Sequence, residues 1–155
     1  MSLSGLNMRG QLLTDEPMSR HTSLRVGGPA DLFAIPEDAD DLQGLLRQLG
    51  ERGIPWLAIG RGNNLLVRDG GYRGAVICTK KLHGIDIDGN TLTVHAGDSL
   101  KDTAAAAQAA GLTGLEFASG IPGSAGGRRA SRMTRPRQWL DKKTLGSEWK
   151  ENMKC

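Results

Sequence analysis

Aromatic residues and cysteines are scarce in this sequence. Aromatic residues make up only 4% of the 155 positions, so the predicted hydrophobic core is aliphatic. The two cysteines, Cys78 and Cys155, are too few for a disulfide framework, which argues against a disulfide-rich secreted protein and favours a cytoplasmic location. No apolar run approaches the ~18 residues of a membrane-spanning helix, and no signal peptide precedes the first motifs. We therefore expect a cytoplasmic protein without membrane contacts.

The positive net charge of +3 is unevenly distributed along the chain. Residues 1–127 carry 11 basic and 14 acidic side chains, a net charge of −3. Residues 128–155 carry 9 basic and 3 acidic side chains, a net charge of +6. The basic character therefore belongs to the tail, and overall charge does not indicate a nucleic-acid-binding domain.

Glycine, in contrast, is abundant, with 22 residues. One glycine-containing loop follows the apolar run Trp56–Ile59, which is predicted to be a strand, and a second apolar run starts at Leu65. The loop contains Gly60, Arg61, Gly62, Asn63 and Asn64, whose backbone can turn several N–H groups toward one anion. Its spacing matches neither the dinucleotide-binding fingerprint nor the P-loop, so a plain tight turn remains an alternative.

Secondary-structure patterns predict an α/β arrangement. An apolar run over 32–35, a helix with leucines at 42, 45, 46 and 49, and the strand at Trp56 form a β-α-β unit. Such a unit predicts two adjacent parallel strands with loop 60–64 at their carboxyl end, where ligands of α/β sheets bind. Residues 1–20 are predicted to form a leader or a short helix.

Later segments predict a further strand over 75–78 and a hairpin around Asp88-Gly89-Asn90. Next comes an alanine-rich helix capped by Asp98 or Ser99. His83 and His95 lack a third ligand at metal-binding spacing, and we interpret them as strand-surface residues rather than metal ligands.

Two further segments have the composition of ligand-binding loops. Residues 21–31 combine Thr22 and Ser23 with Gly27-Gly28-Pro29, which suits either an anion-facing loop or a simple turn. Residues 114–127 contain five glycines and a proline, and a flat ring could lie directly on such a bare backbone. A helix is not expected before about Ser124.

The three segments, in this order, resemble the FAD-binding region of the UDP-N-acetylenolpyruvoylglucosamine reductase family. The resemblance covers about residues 19–127, and the last segment, with Ile121-Pro122-Gly123-Ser124, is its most specific part. It implies an α/β (α+β) fold, namely a truncated two-lobed FAD-binding domain of the vanillyl-alcohol-oxidase or p-cresol methylhydroxylase type. Residues 21–127 would form this domain, with lobes at about 21–69 and 70–127.

The resemblance also implies a cofactor, FAD, and a set of residues that bind it. The loop from Gly60 to Asn64 would hold the pyrophosphate, and residues 120–124 would lie along the flavin. The implied cofactor-binding residues are Thr22, Ser23, Gly27, Gly28, Gly60, Arg61, Gly62, Asn63, Asn64, Leu65, Gly120, Ile121, Pro122, Gly123 and Ser124. His21 and Asn63 depart from the family, which usually has Asn and often Ser at these positions.

The implied reaction is the NADPH-dependent reduction of a UDP-sugar enolpyruvyl ether in peptidoglycan synthesis. A serine proton donor and the arginine and glutamate that assist it have no counterpart in this chain, so we predict no catalytic residue here. Oxidoreductase activity is thus expected of the family and not of this chain alone.

After Gly127 the sequence stops resembling the family and becomes basic, and this tail is predicted to be irregular. An altered reading frame would explain the change. Two alternatives stay open. The chain could be a different flavoenzyme of the same fold, or a non-catalytic module whose tail binds nucleic acid through its arginines and Trp139.

Overall fold

The computed structural model describes residues 5–130. Within that range there are six strands, three helices and two single 3-10 turns, at Met18–Arg20 and Glu116–Gly120. The strands are β1 (Gln11–Pro17), β2 (Pro29–Ile35), β3 (Trp56–Ile59), β4 (Tyr72–Cys78), β5 (Ile85–Asp88) and β6 (Thr91–Val94). The helices are α1 (Ala39–Glu51), α2 (Leu100–Ala109) and α3 (Ala125–Ala130). The tail predicted to be irregular starts at residue 128, but its first three residues belong to α3, and the rest lies outside the described residues.

The main sheet has the order β1-β2-β4-β3, in which β2, β4 and β3 are parallel. The prediction that β2 and β3 are adjacent was wrong, because β4 lies between them. Burial explains the order: Gly74 through Cys78 are buried without interruption, whereas Trp56 and Leu57 of β3 are exposed. A strand that is apolar on both faces belongs in the centre of a parallel sheet, and a half-exposed strand belongs at its edge.

The region predicted as a leader or short helix instead contains β1, which pairs antiparallel with β2. Leu12 lies opposite Ala34, and Thr14 lies opposite Leu32. Its sequence, with two adjacent leucines followed by polar residues, lacks the alternation of apolar and polar residues that marks a strand. The strand is also half exposed and irregular, since Asp15 has a φ of 50°. Pairing with β2, rather than its own pattern, makes this segment a strand.

The sheet has a hydrophobic core on each face. On one face, α1 packs Leu45 and Leu49 against alternate strand residues such as Leu32 and Ile77. On the other face, Phe33 and its neighbours are covered by the loop after β3, with Leu65 and Val67 partly buried against them. The apolar run after loop 60–64 is therefore a covering loop and not a strand.

Helix α1 begins where the sequence predicts. The Asp38 side chain caps it by accepting a hydrogen bond from the Asp41 N–H at 2.9 Å. The buried Asp41 carboxylate in turn accepts hydrogen bonds from the N–H groups of Arg9, Gly10 and Glu37 at 2.7, 2.9 and 3.0 Å. Asp41 thereby ties the segment before β1 to the start of the helix.

The second part of the described chain also follows its predicted elements. Strands β5 and β6 form the predicted hairpin, in which Ile85 pairs with Val94 and Ile87 pairs with Leu92. Ser99 caps α2 by accepting a hydrogen bond from Asp102 N–H at 2.9 Å. The division into two lobes at residue 69 or 70 stays a prediction, although the sheet pairing of β4 extends the first sheet to residue 78.

His83 and His95 lie beside this hairpin. The Nδ1 atom of His83 is 3.2 Å from Asp98, whose carboxylate also accepts hydrogen bonds from the N–H groups of Gly84 and His95. The Asp98 carboxylate therefore connects the residues before β5 to the residue after β6. Among residues 5–130 there is no cluster of three or more His, Cys, Asp or Glu residues that could hold a metal ion. None of the helices described is long and apolar enough to cross a membrane.

Candidate functional site

Loop 60–64 lies at the carboxyl end of the parallel strand β3, as predicted. In the described part of the chain, the consecutive backbone N–H groups of Arg61, Gly62, Asn63 and Asn64 have no hydrogen-bond partner. Backbone donors grouped in a turn form a concavity suited to an anion. The loop therefore has the donors that the pyrophosphate prediction requires.

Two glycines let this loop approach other parts of the chain closely. Gly62 has a φ of +66°, and a Cβ atom at this position would overlap the carbonyl oxygen of His21. A Cβ atom at Gly60 would overlap the Oγ atom of Ser124. The loop is thus held between the segment that follows the first 3-10 turn and the start of α3, and a larger side chain at either glycine would push it away.

Ser23 attaches loop 60–64 to the segment that follows the first 3-10 turn with two hydrogen bonds. Ser23 N–H donates to the carbonyl of Gly62 at 3.1 Å, and Ser23 Oγ donates to the carbonyl of Asn63 at 3.0 Å. The buried Thr22 hydroxyl donates to the carbonyl of Val26 at 3.0 Å. Both hydroxyl protons are engaged within the protein: Ser23 orients loop 60–64, whereas Thr22 stabilises its own turn.

Gly27 and Gly28 were predicted to complete the phosphate side, but the structure does not bring them there. Gly28 N–H donates to the carbonyl of Arg68 at 3.0 Å, and a Cβ atom at Gly28 would overlap the carbonyl oxygen of Asp69. A Cβ atom at Gly27 would lie 2.9 Å from that of Val67. The two glycines are explained by close packing against residues 67–69, outside the cavities described below.

The segment 120–124 lies on the other side of the loop. Main-chain hydrogen bonds from Leu100 to Gly123 at 3.1 Å and from Ala125 to Asp98 at 2.9 Å attach it to the start of α2. Gly123 has a φ of +149°, and the space where its Cβ atom would be is open, with the nearest atom 4.0 Å away. Ser124 is buried, and its Oγ accepts a hydrogen bond from Gly127 N–H at 3.2 Å.

Two cavities flank the loop, and both are lined by Gly60 and Arg61. The smaller, of about 300 Å³, contains most of the predicted cofactor-binding residues. It is lined by Leu57, Ala58, Ile59, Gly60, Arg61, Gly62, Asn63, Asn64, Leu65, Leu100, Ile121, Pro122, Gly123, Ser124 and Gly127. The larger, of about 600 Å³, is lined by Arg20, His21, Thr22, Ser23, Gly60, Arg61, Cys78, Lys80 and Lys81. Gly120 lines neither cavity.

Sequence reasoning missed the part of this site that follows β4. Cys78, Lys80 and Lys81 come from the carboxyl end of the central strand, beside loop 60–64. Burial raises the pKa of the Cys78 thiol, an effect that the nearby Lys80 partly opposes. Only knowledge of the strand order would have brought these residues to the site, since the predicted adjacent pair left β4 outside it.

The chain resembles known proteins over most of its length. Residues 30–137 match the FAD binding domain family, and this match ends ten residues beyond the predicted boundary at Gly127. A UDP-N-acetylenolpyruvoylglucosamine reductase from Pelobacter propionicus is 68% identical over 129 residues, which are 82% of this chain and 43% of that protein. The enzyme of the same name from Geobacter sulfurreducens is 52% identical, over 79% of this chain and 41% of that protein.

A solved structure gives the same result for the fold. The crystal structure of UDP-N-acetylenolpyruvylglucosamine reductase from Thermus caldophilus superimposes with a TM-score of 0.58 at 33% identity. The superposition covers 78% of this chain and 41% of that one. The chain therefore spans less than half the length of the relatives that it matches. The predicted mixed α/β fold of an FAD-binding domain is confirmed.

Proposed function

The chain belongs to the FAD binding domain family, and we propose that it is the FAD-binding part of a UDP-N-acetylenolpyruvoylglucosamine reductase. In this proposal the enzyme reduces the UDP-linked enolpyruvyl ether with NADPH during peptidoglycan synthesis in the cytoplasm. The 68% identity to the Pelobacter propionicus reductase supports this reaction over that of another flavoenzyme with the same fold.

The residues of the site fit a dinucleotide cofactor. Loop 60–64 has four consecutive N–H donors without a partner among the described residues, which supports a pyrophosphate at this loop. Beside the loop, the open backbone of Gly123 leaves room for a flat ring in the smaller cavity. Because donors and bare backbone lie on the same cavity, one dinucleotide could use both.

In this proposal each part of the chain has a separate task. Arg61 through Asn64 bind the pyrophosphate, and Ile121 through Ser124 support the flavin. FAD held there would supply hydride transfer between the nicotinamide and the substrate double bond, and the residues around it would supply position and electrostatics. Ser23 holds the loop in place, and Ser124 fixes the distance between the two segments through its contact with Gly60.

We assign no catalytic residue within residues 5–130. The resemblance places the proton donor and its two assisting residues beyond the FAD-binding segments, in a part of the family that this chain does not match. The 155-residue polypeptide is therefore proposed to bind FAD without turning over substrate.

Retention of FAD tests the proposal. The purified 155-residue polypeptide is incubated with FAD, desalted and examined for the visible absorption of bound flavin. We expect Asn64→Asp to weaken FAD binding about tenfold, because it adds a negative charge beside the phosphate-binding donors. Asn90→Asp, the same chemical change in the β5–β6 turn, is the control and should have no effect. If the unmodified polypeptide folds but retains no flavin, the proposal is wrong.

A further inference from the structure

The larger cavity is distinct from the smaller one in its charge. It is lined by four basic side chains, Arg20, Arg61, Lys80 and Lys81, and by no carboxylate of the described part of the chain. Glu16 lies 3.6 Å from Arg20 and 3.0 Å from the Nε2 atom of His21. It therefore offsets positive charge beside Arg20 and not at the other three cations. Arg61, Lys80 and Lys81 form no ion pair within the described part of the chain.

The fold holds these cations on two separate elements. Arg61 comes from the loop after β3, and the two lysines come directly after β4, the neighbouring parallel strand. The hydrogen bond from Thr79 N–H to the carbonyl of Ile59, at 2.9 Å, joins the two strand ends. The cavity is therefore bounded by a fixed pair of strand ends with cationic side chains around it.

Uncompensated cations around a cavity favour an anion with several negative charges. One cation is enough to neutralise a carboxylate, whereas a phosphate group spreads its charge over more oxygens and can contact several donors at once. The cavity also shares Gly60 and Arg61 with the smaller one, so it adjoins the proposed flavin site.

We propose that Lys80 and Lys81, together with Arg61, form a phosphate-binding subsite for a nucleotide in the larger cavity. This deepens the proposed function, on which the identity of the nucleotide rests. The phosphate could be part of the FAD diphosphate or the ribose phosphate of NADPH, and the chemistry of recognition is the same for both.

Affinity measurements on a double variant test this subsite. Lys80→Gln combined with Lys81→Gln removes two charges, and the control combines Arg47→Gln with Lys101→Gln, which changes net charge equally at exposed positions outside both cavities. Binding of FAD, riboflavin, NADPH and NADH is measured by calorimetry at low and high salt. Circular dichroism establishes that every variant is folded.

Each outcome decides the question. A loss of about tenfold for FAD but not for riboflavin supports the subsite and identifies the flavin diphosphate. A similar loss for NADPH but not for NADH supports it and identifies the ribose phosphate. If the double variant binds all four ligands as the control does, the subsite is refuted, and FAD retention by the unmodified polypeptide would leave the proposed function intact. Conversely, NADPH binding that depends on the lysines without any FAD binding would retain the subsite and refute the proposed function.

Discussion

Three Gly→Ala substitutions separate the reasons for which this chain uses glycine, and Gly62→Ala is the informative one. Gly44, inside α1, has a helical backbone, and apart from the adjoining helix backbone no atom of residues 5–130 lies within 4 Å of the added methyl group. Gly53 also has open space but a φ of +61°. Gly62 has a positive φ of +66°, and the backbone carbonyl of His21 occupies the place that an added Cβ atom would take.

The expected magnitudes follow from these differences. Gly44→Ala should stabilise the protein by about 0.5–1 kcal/mol, because alanine is the better residue in a helix interior. Gly53→Ala should destabilise it by about 1 kcal/mol, because a left-handed backbone costs alanine about 1–2 kcal/mol and the reduced entropy of the unfolded chain returns part of this. Gly62→Ala adds overlap with backbone atoms that cannot rotate away, so we expect a loss of about 2–4 kcal/mol.

Urea unfolding followed by far-ultraviolet circular dichroism gives the three stabilities, and desalting after incubation with FAD gives flavin retention. We expect retention to fall only in Gly62→Ala, because only there do the N–H donors of the loop move. If Gly62→Ala costs no more stability than Gly53→Ala and retains flavin, the loop does not depend on close packing against the carbonyl of His21.

Three further predictions concern the framework around the site. Asp41→Asn should lower the free energy of unfolding by about 2–3 kcal/mol, because a neutral amide replaces a buried charged acceptor of three N–H groups. Burial alone would raise the pKa of the Asp41 carboxyl, but the hydrogen bonds from Glu37, Arg9 and Gly10 lower it below its ordinary value of 3.8. Its contribution to stability is therefore present above pH 3.8 and should be lost as the pH falls below it, which acid unfolding of both proteins measures. Ser99→Ala removes the cap of α2 and should cost about 1 kcal/mol in urea unfolding. Cys78, whose pKa is raised by burial, should react slowly with iodoacetamide at neutral pH in a Cys155→Ser background, and quickly once urea is added.

Matched controls make these three predictions decisive. Asp40 is on the same first turn of α1 but is exposed, so Asp40→Asn should leave the loss of stability at acid pH unchanged. An equal effect of both variants would contradict the role given to Asp41. Ser119→Ala removes a serine from an exposed turn and serves as the comparison for Ser99. Rapid alkylation of Cys78 in the folded protein would contradict its burial beside the larger cavity.

The sequence by itself determined the elements whose patterns are local. The leucine stripe and Asp38 specify α1, and the apolar run that ends at Gly60 specifies β3. The alternation around Gly89-Asn90 specifies the hairpin, since a two-residue turn with glycine at positive φ fits that loop. The ordered glycine-rich segments also determined the family resemblance, which the match over residues 30–137 confirms for FAD binding.

Only the tertiary structure decided which of these segments meet. The sheet order β1-β2-β4-β3 depends on burial of both faces of β4, and β1 is a strand because β2 offers it hydrogen bonds. Gly27 and Gly28 carry the same local signal as Gly62, yet their Cβ positions are filled by residues 67–69 and not by a ligand cavity. Lys80 and Lys81 reach the site through the same strand order. The strand order and the packing of these glycines depend on hydrogen bonds and steric contacts between residues far apart in the chain, and no local sequence pattern encodes such contacts.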